Sequence, residues 1–266
     1  MSRVVLLFLL ASAGGPDPTP AVQTSNGPPA ASPAPAAERT PLWRVYYDRG
    51  MKAMRTKDFS KAIDLFDKAE QDLSADCSAD EPALLAEIST QSGIAHLELA
   101  EASKNYDRRQ LCLIGARRHF GRARGRLQAL HGANSLEYAN ATERLADARA
   151  ATAENSNQKL QPYLGALAAD ATTKESAADL YFLALTIREQ RLGERDPDVI
   201  HYRRKILRQF RTWLRTCNAL RRDVTDIKVQ YAYDPIIEAY KAQADELRKR
   251  HRALSKSAEV TTNGEL

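Results

Sequence analysis

Residue types that could carry acid–base or metal chemistry are present in the sequence, but their spacing does not group them. The five histidines stand far apart, and none lies in an H-E-x-x-H arrangement: His96, His119, His131, His201 and His251. An H-E-x-x-H arrangement would place two imidazoles on one helix face, where they can share a metal ion. There is also no glycine-rich phosphate loop and no G-x-S-x-G turn. We therefore expect no catalytic, cofactor-binding or metal-binding residues, and no enzymatic activity.

Carboxylates and cysteines give no stronger signal for chemistry. Asp64 and Asp67 are three residues apart, a spacing typical of the exposed face of a helix. Cys77, Cys112 and Cys217 allow one disulfide with one thiol left over, or three buried free thiols, and the sequence leaves both open.

The elements that position these side chains are predicted to be helices from residue 41 onward. This part is rich in Ala, Leu, Arg, Glu, Lys and Gln, and its apolar residues recur at intervals of three and four. One such stripe runs through Ile206, Phe210, Trp213, Cys217 and Leu220. Only four of the twelve prolines follow residue 41, and each suits the start of a helix. We predict an all-α fold.

The first forty residues are predicted to lie outside this fold. Residues 1–13 combine a basic start, an apolar run and an Ala-Ser-Ala sequence, which is typical of a Sec-type signal peptide. Residues 14–40 are rich in Pro and Ala, and we predict a disordered linker. The folded domain is then 41–255, with a flexible tail over 256–266. The expected location is the bacterial periplasm or the extracellular space.

A short pattern recurs three times along the helical part. It consists of a small residue, an aromatic residue four positions later and a second small residue three positions after that: Ala62, Phe66 and Ala69; Ala116, Phe120 and Ala123; Ala177, Tyr181 and Ala184. The small residues allow close approach of a neighbouring helix, and the aromatic ring fills the space beside them. Three copies indicate an internal repeat.

The first unit, residues 46–73, resembles a tetratricopeptide repeat (TPR), with Gly50 at the close-packing position and Lys57-Asp58-Phe59 at the turn. A third unit, about 158–191, has Leu164-Gly165 at the corresponding place. Its continuation over 184–199 resembles the longer repeat of kinesin light chains, and 130–139 is a weaker copy of that junction. The resemblance implies a helix-turn-helix repeat solenoid with a peptide-binding groove.

Two departures from the repeat pattern are expected. About ten extra residues, 101–109, are predicted between the helices of the second unit. Two helices are predicted between 135 and 170, where the repeat register requires one. A last helix, from Ile236 to about Ala253, has much polar surface and is predicted to cap the solenoid.

The net charge of +5 hides a strong segregation of charge along the chain. Residues 58–87 contain nine acidic residues and two lysines, residues 108–126 contain seven arginines and no acid, and residues 203–222 contain eight basic residues and no acid. Helical spacing predicts that Arg204, Arg208, Arg211 and Arg215 share one face, opposite the apolar stripe. The simplest interpretation is a solvated face that keeps a basic protein soluble.

The TPR resemblance implies a second interpretation, in which basic residues line the groove. The register places His201, Arg204, Arg208 and Arg211 there, and in the first unit Arg44, Tyr47, Met51, Met54 and Arg55. We therefore expect an exported, non-enzymatic scaffold of a bacterial envelope assembly that binds a protein or peptide with an acidic or C-terminal segment.

Other functions remain open on the sequence. The alternatives are an accessory subunit or enzyme acting on envelope polymers, and a basic protein in weak contact with an anionic membrane surface. Nucleic acid is disfavoured by the export signal and because no aromatic residues interleave with the arginines. The sequence does not determine the oligomeric state.

Overall fold

The structure is a computed structural model that describes residues 40–75, 81–159 and 176–223, together with scattered positions between 238 and 252. All regular secondary structure in these ranges is helical. The predicted signal peptide, nearly all of the predicted linker and the predicted tail lie outside the described residues. The same holds for Leu164 and Gly165.

Seven helices follow one another in the described residues between 42 and 223: α1 Leu42–Arg55, α2 Phe59–Ala75, α3 Glu81–Ala102, α4 Tyr106–His131, α5 Leu136–Lys159, α6 Ala177–Leu192 and α7 Pro197–Asp223. All the extensive packing between them joins each helix to the helix before it and the helix after it. Such neighbour-to-neighbour packing is the signature of a solenoid. The predicted all-α helical repeat fold is therefore confirmed for the described part of the chain.

Residues with capping side chains begin several of the helices. Ser176 and Asp179 form a reciprocal capping box at the start of α6, and the Asn105 side chain accepts a hydrogen bond from the Arg108 backbone N–H at the start of α4. Pro197 is the first residue of α7, and the carboxylate of Asp196 accepts from the Asp198 backbone N–H. Each cap satisfies a backbone donor that has no partner within the helix.

The connections after α4 and after α6 have the same geometry. Gly132 and Gly193 end the two helices with φ angles of 83° and 88°, a region that strains residues with a side chain. Three residues later, the backbone N–H of Ser135 and of Asp196 donates to the carbonyl of the respective glycine. The two junctions that look alike in sequence thus form the same turn.

Aromatic rings of the repeated pattern pack directly on glycines of the preceding helix. A Cβ atom at Gly50 of α1 would lie 2.7 Å from the Phe66 ring of α2, and one at Gly93 of α3 would lie 2.6 Å from the Phe120 ring of α4. Both rings are buried. The helix pairs α1–α2 and α3–α4 therefore pack through the same kind of glycine–aromatic contact. Gly93 is the glycine of the second contact, and the sequence pattern did not reveal it.

One of the two predicted departures from the repeat pattern differs from the structure. Residues 101–109 are not an insertion between helices, since only residues 103–105 separate α3 from α4; the extra length lies in the helices, which have 22 and 26 residues against 14 and 17 in the first pair. Residues 136–159 form one continuous helix, α5, and α6 packs against it. The second helix predicted before residue 170 lies outside the described residues.

The C-terminal part joins the core of the last helices. Residues 244–249 are helical, and Ala244 and Leu247 are fully buried in the cluster that contains Phe210 and Trp213 of α7. Lys241, Asp245 and the other described residues of this stretch are largely exposed. A helix with one apolar side and one polar side thus covers the core behind α7.

Candidate functional site

One face of α7 carries arginines and the opposite face is buried. Ile206, Phe210 and Trp213 point into the core, and Trp213 is only 1% exposed. The exposed side carries His201 and four arginines at spacings of four, three and four residues: Arg204, Arg208, Arg211 and Arg215. These four residues are called the arginine face, and at 1.5 Å per residue they extend over about 16 Å of helix.

The arginine face forms no ion pair with any described residue, whereas Arg203 and Lys205 of the same helix are neutralised. Arg203 is fully buried, and its Nη2 lies 2.7 Å from Glu189 Oε1 of α6. Lys205 Nζ lies 2.6 Å from Glu143 Oε1 and 2.9 Å from Asp147 Oδ2, both on α5. Arg203 and Lys205 thus join α7 to α6 and α5 through ion pairs, and the guanidinium groups of the arginine face remain in solvent.

The arginine-rich helix α4 behaves differently, because its charges meet the acidic helix α2. Arg126 Nη1 donates to Glu70 Oε1 at 2.8 Å, and Arg122 Nη1 donates to Glu70 Oε2 at 3.1 Å. Arg108 reaches Ser60 of α2 at 3.3 Å. The acidic and basic segments seen in the sequence therefore partly neutralise each other across one interhelical contact.

The predicted groove residues of the first unit take part in packing. Met51 and Met54 are half-buried against the core between α1 and α2, and the Tyr47 hydroxyl donates to Glu87 of α3 at 3.1 Å. Burial, followed by the charge of Glu87, raises the pKa of Tyr47 to about 12. Arg44 pairs with Asp48 at 3.4 Å, within α1.

Arg55 is exposed in the last turn of α1. Among the described residues, the two halves of the predicted site lie on α1 and α7, the first and last of the seven helices given above.

A pocket of about 430 Å³ lies between α2 and α4, and the sequence pattern did not predict it. Its lining is polar and charged: Asp67, Glu70, Gln71, Ser74, Arg118, His119, Arg122 and Arg126. His119 Nε2 lies 3.7 Å from Asp67 Oδ1, and His119 Nδ1 lies 3.9 Å from Glu70 Oε2. Three side chains with metal-binding or acid–base chemistry therefore meet at one point.

Two histidines that are 23 positions apart in sequence stack inside the protein. The rings of His96 on α3 and His119 on α4 have centroids 5.3 Å apart. A Cβ atom at Gly115 would lie 2.5 Å from the His96 ring, so that glycine admits the ring against α4. The spacing along the sequence did not group these two histidines, and the fold brings their rings together. A glycine one helical turn before His119 is the sequence signal that went unused.

Burial shifts the pKa values of the three titratable side chains that meet in the pocket. It lowers the pKa of His119 to about 4, with the neighbouring His96 adding to the effect, so the imidazole is neutral at pH 7. Burial also raises the pKa of Asp67, and the nearby Glu70 carboxylate raises it further. For Glu70, burial favours protonation, but the bonds from Arg126 and Arg122 outweigh it and hold its pKa below the ordinary value.

Cys112 is a buried free thiol, and burial raises its pKa. Cys77 and the side chain of Cys217 lie outside the described residues. Among the described helices, none is both long enough and apolar enough to cross a membrane.

No family model matches the chain, and no curated protein matches it. Among solved structures, the chain is similar to a de novo designed helical repeat protein, with 15% sequence identity and a TM-score of 0.42. The match covers 80% of this chain and 96% of the designed one.

Proposed function

We propose that the protein is a non-enzymatic helical repeat scaffold that binds an acidic segment of a partner protein at the arginine face of α7. One observation carries this proposal. The arginines that face α2, and the basic residues of α7 that face α5 and α6, have carboxylate partners, whereas the four residues of the arginine face have none among the described residues. A row of cations left unneutralised on a rigid helix suits a partner that supplies the anions.

The chemistry of guanidinium groups supports an acidic peptide as the partner. Each group presents planar donors that can bind a carboxylate in a bidentate manner. A single exposed ion pair contributes little, so binding requires several pairs at once. Four arginines fixed on one helix provide that multiplicity, and the helix loses little further entropy on binding because its buried face already holds it in place.

We also propose that the repeats are of the TPR type, with a longer kinesin-light-chain-like repeat in the C-terminal half. The shared glycine–aromatic contacts of α1–α2 and α3–α4 support the first part, and the common turn after Gly132 and Gly193 supports the second. On this basis, Met51 and Met54 of α1 provide a second, adaptable apolar contact for the same partner. The signal-like residues 1–13 favour the periplasm or the extracellular space as the location of the proposed scaffold.

The burial of Trp213 weighs against contact with an anionic membrane surface. Such contact would be favoured by an exposed Trp213 beside the arginines, with its ring at the lipid interface. The ring points into the core instead. We therefore place an acidic protein segment ahead of a lipid surface.

An enzyme or accessory subunit acting on envelope polymers is a second candidate function. It requires polar side chains from separate repeats to converge, and the α2–α4 pocket is such a convergence. Incubation with isolated envelope polymers, followed by chromatography of the soluble fraction, tests it. Fragments that appear with the wild-type chain and not with Asp67→Asn would favour this candidate over the scaffold.

The scaffold is tested by reversing two charges of the arginine face. Affinity capture from the protein's own compartment, with mass spectrometry, identifies the partner, and fluorescence anisotropy with a labelled glutamate-rich peptide measures binding. We expect the double variant Arg204→Glu with Arg208→Glu to lose both the capture of the partner and the binding of the peptide, without a change in the helical circular dichroism. The matched control is Lys52→Glu with Lys61→Glu, which changes the net charge equally at exposed sites on α1 and α2. Equal binding by the two double variants would refute the assignment.

A further inference from the structure

The pocket between α2 and α4 brings together two carboxylates and an imidazole, and binding at α7 makes no use of them. One ligand atom each from Asp67, Glu70 and His119 lies within 4.8 Å of the other two. Glu70 and His119 are buried, and Asp67 stands at the exposed side of the cluster. We propose that these three residues bind a divalent transition-metal ion of the Zn²⁺ or Co²⁺ type.

The three side chains must close around an ion in order to bind it. Metal–nitrogen and metal–oxygen bonds of about 2.1 Å in tetrahedral geometry hold the ligand atoms about 3.4 Å apart. His119 Nε2 lies 3.7 Å from Asp67 Oδ1 and His119 Nδ1 lies 3.9 Å from Glu70 Oε2, so the two carboxylates face different ring nitrogens. An ion bound to Nδ1 beside Glu70 therefore requires the exposed Asp67 side chain to move towards it.

His119 provides an independent sign of a missing ligand. Its side chain is 7% exposed, and its Nδ1 has no hydrogen-bond partner among the described residues. The Glu70 oxygen that faces this nitrogen is too distant for a hydrogen bond. A buried polar atom without a partner is costly, and a bound ion would remove that cost.

Neighbouring side chains hold the ligands in place. Arg126 and the Ser89 hydroxyl both donate to Glu70 Oε1, at 2.8 Å and 3.2 Å, and so fix the carboxylate. His96 stacks on His119 and restricts the rotation of its ring. Such outer contacts orient ligands at metal sites and contribute to affinity.

The donor set determines the class of ion. Ca²⁺ and Mg²⁺ prefer oxygen ligands alone, whereas one imidazole with two carboxylates suits ions of intermediate softness. The pocket of about 430 Å³ has room for the water molecules that would complete the coordination. Arg118, Arg122 and Arg126 also line it, and their positive charges oppose a cation. Removal of one of these positive charges should therefore strengthen the binding of a cation.

The first experiment uses the full chain, treated with a chelator, and titrates it with CoCl₂ while visible absorption and heat are recorded. We expect one ion per chain. Asp67→Asn should weaken binding by more than about tenfold, since it replaces a carboxylate ligand. Asp64→Asn is the matched control, because it removes the same charge one turn earlier on the same helix, and it should leave binding unchanged. Equal affinities for the two variants would overturn the site.

Two further variants distinguish a site built on His119 from a thiolate site and from an anion site. His119→Gln should lose the cobalt spectrum, and a spectrum dominated by thiolate-to-cobalt charge transfer would mean that cysteines bind the ion and would refute the proposal. Arg118→Gln removes a like charge from the pocket wall without touching a ligand, so it should tighten cobalt binding a few-fold. If inorganic phosphate binds the pocket instead, and Arg118→Gln weakens that binding, the pocket is an anion site and the metal assignment is wrong.

Discussion

The ring of Phe120 on α4 lies directly on the backbone of α3 at Gly93, so close that a Cβ atom there would be 2.6 Å from the ring. Gly93→Ala must therefore displace a fully enclosed ring, and overpacking of this kind costs about 1–3 kcal/mol. We expect a lower free energy of unfolding by about 1 kcal/mol or more, because the gain in helix propensity offsets only part of the cost. Urea denaturation followed by circular dichroism measures the change.

Gly121→Ala is the matched control on the neighbouring helix, since a Cβ atom at Gly121 would meet nothing within 4 Å. There the propensity gain acts alone, and we expect stabilisation by about 0.5–1 kcal/mol. A similar effect of both substitutions, in either direction, would contradict the close contact between Phe120 and Gly93.

Stability should fall in mild acid because of the stacked histidines. The pKa of His119 is about 4 in the fold and near 6.5 in the unfolded chain, and burial lowers the pKa of His96 as well. The unfolded state therefore binds more protons below pH 6.5, and the stability that is present above that pH is lost as the pH falls towards 4. Asp67 and Glu70 on α2, together with Arg118 and Arg122 on α4, face the same imidazole. Thermal unfolding at pH 7 and pH 5 measures the loss.

His119→Gln should reduce this pH dependence, since the amide does not titrate. His131→Gln is the control, because His131 is exposed at the end of α4. An unchanged slope of melting temperature against pH in His119→Gln would show that other groups cause the acid sensitivity.

Arg203 and Arg204 are adjacent in sequence but should respond very differently to substitution. Arg203 is fully buried and paired with Glu189, so Arg203→Met leaves that carboxylate without its partner and should cost about 3 kcal/mol. Arg204→Met changes an exposed side chain and should alter the free energy of unfolding by less than about 0.5 kcal/mol. Chemical denaturation of both variants measures the difference, and equal losses would contradict the orientation of α7.

Cys112 should react slowly with thiol reagents in the native protein. The thiol is buried and its pKa is raised by that burial, so both access and thiolate content are low. Mass spectrometry of the Cys112 peptide after brief alkylation, with and without urea, measures the protection. Rapid labelling without urea would contradict the packing of α4.

The helical repeat was predictable because its signal is local. The alternation of small and aromatic residues around Phe66, Phe120 and Tyr181 specifies close helix packing, and all three rings are buried. The absence of an insertion at residues 101–109 was not predictable in the same way, because a longer connection and a pair of longer helices add the same number of residues to the unit.

The pocket was not predictable, because its members are distant in sequence. Asp67 and Glu70 lie on α2, whereas His119 lies on α4, 49 positions after Glu70. Each residue taken alone is an ordinary surface or core residue. The segregated charges were visible, but one sequence does not show that α2 and α4 face each other while the arginine face meets no described acid.

Packing between chain neighbours has a consequence for how the protein loses its structure. When each helix rests mainly on the helices before and after it, the free energy of folding is divided among successive interfaces. Opening can then begin at one end and spread stepwise, with no requirement for a single cooperative transition. A ligand bound to α7 would stabilise the C-terminal helices against such opening. The helices would then unfold over a narrower range of temperature.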